Sequence, residues 1–233
     1  MKEWLRSAIA RGDYSPGDKV PSEHELAAIF NVSRGTARRA LHELVLEGWL
    51  YKIQGKGTFV ANKKFQQVLS TITSFSEDMH ELGLTPGARV LFRRLEEAGE
   101  SMAKALAIDK KDTVFHLARV RLANGDPMAL NVSVLPYKYV PGIENIDLEH
   151  VSLYYVLEKI YNLQLWRSEY IVEPILADTT TAYLLKTEPG APLLRVEGVV
   201  CLKNGTPIEW TEILYRGDKY KFSILALRRP SSC

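Results

Sequence analysis

Two serine-capped amphipathic segments, separated only by Asn31-Val32, constrain the fold of this chain more than any other feature. Ser22-Glu23-His24-Glu25 has the Ser-x-x-Glu form in which hydroxyl and carboxylate each satisfy the other residue's backbone amide, and Leu26, Ala27, Ile29 and Phe30 follow as an apolar stripe. Ser33 then opens a second helix, whose apolar positions Ala37, Ala40, Leu41, Leu44 and Val45 recur at i, i+3, i+4, i+7 and i+8. So close a pair has helix-turn-helix spacing. Upstream, Trp4, Leu5, Ala8 and Ile9 predict a short helix over 2–10 that ends at Arg11-Gly12-Asp13, with a turn over 14–18.

The outward face of the second helix carries Arg34, Gly35, Thr36, Arg38 and Arg39. Arg34 and Arg38 are four apart and so neighbours, and an Arg fork matches the O6 and N7 acceptors of guanine in a major groove. Thr36 adds a hydroxyl and a methyl, and Gly35 permits close backbone approach. Beyond Gly48, 49–53 and 58–60 read as two strands around Gln54-Gly55-Lys56-Gly57, a glycine-rich tip whose Lys suits phosphates or a minor groove. The alternative is a solvated basic face beside an ordinary hairpin. The ensemble of caps, arginines and glycine-rich tip favours the first reading, since a basic excess alone is more often a solvated surface. Residues 1–64 hold 6 Lys and 5 Arg against 2 Asp and 5 Glu, an excess of +4, while the remainder is −2 within a total of +2.

With 233 residues, 46% hydrophobic and 25% charged, the chain has the composition of one or two globular domains. It lacks any run approaching about 18 apolar residues and its opening is unlike a signal peptide, so a cytoplasmic protein with no membrane partner is expected. Cys201 and Cys233 offer neither a disulfide framework nor metal-ligand spacing, and the five histidines are scattered, so no cofactor or metal is expected. The polar stretch 62–72 reads as a linker between domains at 1–61 and 73–229. Strands are predicted over 90–95, 114–123, 128–135, 170–173, 193–202 and 208–215, with Asn-Gly turns at Asn124-Gly125 and Asn204-Gly205 making neighbours antiparallel. Helices near 75–82, 101–107, 153–161 and 179–185 should cover one face, giving an α+β domain.

The residues Val20-Pro21-Ser22-Glu23-His24-Glu25-Leu26-Ala27, Asn31 to Leu41, Glu47 to Leu50 and Gly55 to Val60 resemble the winged helix of GntR-family bacterial transcription regulators. Two positions depart from the family pattern: His24 stands where many members have a base-contacting Arg, and Gly35 replaces a larger residue. The chain also begins inside the family's first helix. Thr73 to Met79, Arg119 to Ala129 and Tyr215 to Tyr220 resemble the UTRA effector domain of the HutC subfamily, similar in fold to chorismate lyase. The resemblance implies a homodimeric repressor of duplex operator DNA, reading it through His24, Ser33, Arg34, Gly35, Thr36, Arg38, Gln54, Gly55, Lys56 and Gly57. A small-molecule effector, a phosphorylated sugar, is implied for the second domain.

Independent residues point to an anion there. Ser74 and Glu77 repeat the capping box, so the amides of Phe75 and Ser76 would face out of a helix start, and Arg119 and Arg121 end an otherwise apolar strand face. Surface or ion-paired arginines are the alternative. By resemblance Ser152 and Tyr154 join the phosphate side, their other reading being to cap and pack the next helix. Glu209 is expected to accept from sugar hydroxyls and Tyr215 to stack or donate, although six residues of strand span about 20 Å and both reach one pocket only if the strand bends. Asn131 stands where related amino-sugar sensors carry Glu, which leaves a neutral phosphorylated sugar at least as well matched. A lyase-like enzyme lacks any nucleophile or nucleotide-loop motif. A DNA-binding architectural protein with an inert dimerisation domain remains the other alternative.

Overall fold

The computed structural model describes residues 1–47, 49–61 and 64–226. Gly48, Asn62-Lys63, residues 227–229 of the expected second domain and Cys233 lie outside the described residues. The chain divides into two compact units, Met1–Lys64 and Phe65–Cys233.

In the first unit, α1 (Lys2–Arg11), α2 (Glu23–Phe30) and α3 (Arg34–Leu46) precede a hairpin of β1 (Leu50–Ile53) and β2 (Gly57–Val60). The Ser22 box is complete: the Glu25 amide donates to Ser22 Oγ at 3.3 Å and the Ser22 amide to Glu25 Oε2 at 2.7 Å. Asn31 ends α2 at φ 49°, a left-handed conformation that Asn tolerates, and Ser33 Oγ accepts from the Thr36 amide at 3.1 Å to start α3. Leu5, Leu26, Ala37, Leu41, Leu44, Leu50 and Val60 form the core. Lys2 on α1 pairs with Glu43 at 3.1 Å and Glu47 at 2.7 Å, tying α1 to the back of α3.

The second unit is built on a six-stranded antiparallel sheet ordered β4-β5-β6-β9-β8-β7. Its strands are β4 (Pro86–Glu97), β5 (Thr113–Ala123), β6 (Asp126–Pro136), β7 (Leu165–Leu176), β8 (Pro192–Leu202) and β9 (Pro207–Arg216). The β5–β6 turn places Asn124 at φ 50° and Gly125 at φ 84°, the paired positive values that a two-residue hairpin requires. Helices α5 (Gly99–Leu106) and α7 (Thr179–Leu185) pack on one face through Val114, Val134, Val120 and Leu193. The opposite face carries two apolar clusters, one around Phe115, Leu117 and Leu135, the other around Met79, Ala129, Val196 and Tyr215. Residues 119, 131, 213 and 196 lie on one cross-strand row of that second face.

Three readings need correction. The four helices expected on one face divide: α5 and α7 pack on one, while Met79 and Leu153, from the segments 75–82 and 153–161, belong to the clusters on the other. Residues 65–68, expected within a linker, form β3 (Phe65–Val68), which pairs in parallel with β10 (Tyr220–Ser223), Phe65 opposite Tyr220. The helix expected over 153–161 is one α turn, α6 (Leu153–Tyr155), continued as a wider π turn, Val156–Ile160. α4 (Phe75–Glu81) matches expectation, with Ser74 as its N-cap and both capping-box bonds present.

Candidate functional site

On the first unit, Arg34, Gly35, Thr36, Arg38 and Arg39 are all exposed along the start of α3, as are His24 on α2 and Gln54, Gly55 and Lys56 at the hairpin tip. Arg34 makes no hydrogen bond or ion pair among the described residues. Arg38 is different: its Nε donates to Glu23 Oε2 at 3.0 Å, and Lys52 on β1 lies 3.6 Å from the same carboxylate. The hydrogen bond from Arg38 holds the Glu23 carboxyl below its usual pKa range. Ser33 Oγ and Thr36 Oγ1 are 2.9 Å apart, so these hydroxyls are partly occupied by the cap. Gly57 is fixed by its surroundings, with φ 131° and a notional Cβ only 2.6 Å from Lys19 Cε.

On the second unit, a cavity opens over the sheet face between the two apolar clusters. Nine of the ten anticipated effector residues line it: Ser74, Phe75, Arg119, Arg121, Asn131, Ser152, Tyr154, Glu209 and Tyr215. Ser76 lines the neighbouring cleft instead, where its Oγ accepts from Arg121 Nη2 at 3.1 Å. Ser152 makes no side-chain cap bond, which removes its capping alternative. The strand does not bulge between Glu209 and Tyr215, as pairing with β6 is regular from Trp210 to Tyr215; Thr211 and Ile213 fill the floor between them. The cavity therefore runs along β9.

Arg119 and Arg121 are 3% and 5% exposed, and neither has a carboxylate partner among the described residues. Arg119 donates to the Leu148 carbonyl at 3.3 Å and to Asn131 Oδ1 at 3.2 Å, and Arg121 stacks over Phe75, 4.7 Å from the ring centre. The Nε of each is buried with no hydrogen-bond partner among the described residues, as is Glu209 Oε2 on the same cavity wall. Burial and the neighbouring Arg121 charge push Arg119 down to about 9, and burial pushes Arg121 down to about 10, so both stay cationic at neutral pH. Burial raises the Glu209 carboxyl, with the Ser133 and Tyr154 hydroxyls and the Arg119 charge pulling the other way. Asn131 is consumed internally: its Nδ2 donates to Thr211 Oγ1 at 3.1 Å and to the Val132 carbonyl at 3.3 Å.

Several lining residues escaped the sequence reading. Ser133, Thr211 and Ile213 were accessible through the two-residue strand period, since each shares a face with an anticipated neighbour. Tyr170 and the wall formed by Gln67, Leu69, Thr71 and Thr73 had no comparable signal.

Comparison with known proteins agrees with both halves. Residues 1–60 match the model of the bacterial regulatory proteins of the gntR family, and residues 81–221 match the UTRA domain. The HTH-type transcriptional repressor NagR of Bacillus subtilis is 37% identical over 95% of this chain and 91% of its own. The mannosyl-D-glycerate transport/metabolism system repressor MngR of Escherichia coli is 31% identical over 97% and 94%. Among solved structures, PhnF from Mycobacterium smegmatis superposes with a TM-score of 0.81 at 28% identity, covering 97% of this chain and all 100% of that one. An exposed arginine-bearing helix beside a hairpin, and a cationic cavity in an antiparallel domain, thus have their explanation in descent: the chain belongs to the GntR family and is a UTRA-containing transcriptional repressor, not an enzyme.

Proposed function

We propose that this repressor binds a pseudo-palindromic operator as a homodimer and releases it when an anionic metabolite, a phosphorylated sugar, occupies the cavity of the second unit. One helix-turn-helix covers one half-site, so two-fold DNA asks for a two-fold protein. Arg34 and Arg38 supply the main base or phosphate contacts, with Gln54 to Gly57 on the wing.

The observation that carries the effector reading is the buried Arg119 and Arg121 pair, two cations that among the described residues have no carboxylate partner and an unpartnered Nε on each. Such a pair is costly unless an anion meets it, and a phosphate offers acceptors to both guanidinium forks. An inert dimerisation domain has no use for this arrangement. Glu209, at the far end of the floor, is the acceptor for sugar hydroxyls, and Asn131, fully engaged with the protein, orients Arg119 rather than touching ligand. Isothermal titration of phosphorylated and free hexoses against wild type and Arg119→Ala tests the reading. Binding of the phosphorylated form to wild type alone is expected, with operator affinity unchanged in the variant; equal binding in all four combinations overturns it.

A further inference from the structure

Gln67 lies on β3, within the stretch that the sequence presents as linker, and among the cavity-lining residues it is the nearest in sequence to the DNA-binding unit. Its Nε2 donates to Asp78 Oδ2 at 2.7 Å. A carboxylate only accepts, so this bond settles which way the amide faces: nitrogen toward Asp78, oxygen away. That oxygen, Oε1, is buried and has no hydrogen-bond partner among the described residues. The amide is also held in place. The Thr73 hydroxyl bonds to the same Asp78 carboxylate, and the Tyr215 phenol lies against the amide from the sheet side.

Apart from the Ser133 hydroxyl on β6, which acts on Glu209, the unpartnered atoms of the cavity wall sort by chemistry and by strand. Donors, the Nε of Arg119 and of Arg121, stand on β5; acceptors stand on β3 and β9 as Gln67 Oε1 and Glu209 Oε2. A bare phosphate satisfies the donors and leaves the acceptors unmet, and a dicarboxylate brings an anion against them. We propose that Gln67 is a specificity-determining contact, whose Oε1 accepts a hydrogen bond from a hydroxyl or N–H on the uncharged part of a phosphorylated sugar. This rests on the anion-site reading above and adds the group that separates a sugar phosphate from phosphate itself. It also places one ligand contact on the strand that directly follows the DNA-binding unit.

The test is isothermal titration of the full chain, as wild type, Gln67→Met and Asp78→Asn, with inorganic phosphate and with glucose, fructose, glucosamine and N-acetylglucosamine 6-phosphates. Methionine keeps the length of glutamine and removes the acceptor. The expected result is a loss of about tenfold in affinity for the best-bound hexose phosphate, the scale of one withdrawn hydrogen bond in a buried site, with inorganic phosphate within about twofold of wild type. Asp78→Asn, which frees the amide to turn over, shifts the same ratio in the same direction, and carries the comparison if Gln67→Met does not fold. Equal hexose-phosphate affinity in wild type and Gln67→Met overturns the contact and leaves the anion site standing. Parallel loss of both ligand types marks general damage to the cavity and also overturns it. Failure of wild type to bind any of the phosphates overturns the anion site, and the Gln67 contact with it.

Discussion

Arg34 and Arg38 share one helix face but not one electrostatic condition. Arg34 projects without a partner among the described residues, whereas Arg38 is paired with Glu23 and would have to give up that pair to contact DNA. Arg34→Ala is therefore expected to cost about 1–3 kcal/mol at the cognate site if it makes a bidentate base contact, read by fluorescence anisotropy at fixed salt. Glu209 supports a second prediction. Its folded carboxyl keeps its proton to a higher pH than the value of 4.5 for an unperturbed Glu, so the native state holds the extra proton and stability falls as pH rises above that value. Above the folded value the penalty is constant. Effector-free Glu209→Gln should accordingly be more stable than wild type at pH 7–8, by about 1 kcal/mol, with the difference vanishing below about pH 4.5 in urea titrations across pH. The arginines and Glu209 were legible because charge on an apolar strand stripe stands out. Gln67 was not, since an uncharged side chain in a polar stretch announces neither burial nor an unpartnered oxygen.

Elements with strong periodicity or caps were readable for the same physical reason that they form. The Ser22, Ser33 and Ser74 caps and the alternating strands β5, β6, β8 and β9 encode themselves locally. β3 and β10 do not. Phe65-Gln66-Gln67-Val68 is short and half polar, and its partner lies about 155 residues away, so only the folded topology makes it a strand. Gly198 on β8 is likewise mute in the sequence. An added Cβ there would sit 2.4 Å from the Glu169 carbonyl oxygen and 2.6 Å from Tyr170 Cδ1, because the Tyr170 ring lies across β8 at the cavity wall. Gly198→Ala is expected to destabilise the second unit by about 1–3 kcal/mol and to weaken hexose-phosphate binding, which thermal unfolding with and without ligand will show.

For the molecule as a whole, repression and sensing sit in units that meet in the sequence at Lys64–Phe65, and the cavity wall begins three residues later at Gln67. If effector binding weakens operator binding, linkage requires operator to weaken effector binding by the same factor, typically about 5–150-fold. Titrating effector against free and operator-bound protein checks that symmetry. Sedimentation at micromolar concentration should return a dimer with or without operator, and a monomer in both would remove the two-fold reading. The parallel pairing of β3 with β10 carries a consequence for biosynthesis. The strand bearing Gln67 leaves the ribosome early, directly behind the DNA-binding unit, yet its pairing partner emerges only when translation reaches residues 220–223. A nascent chain thus holds every residue of its helix-turn-helix long before it holds both strands of the β3–β10 pair, so the first unit is free to fold while the second is still incomplete.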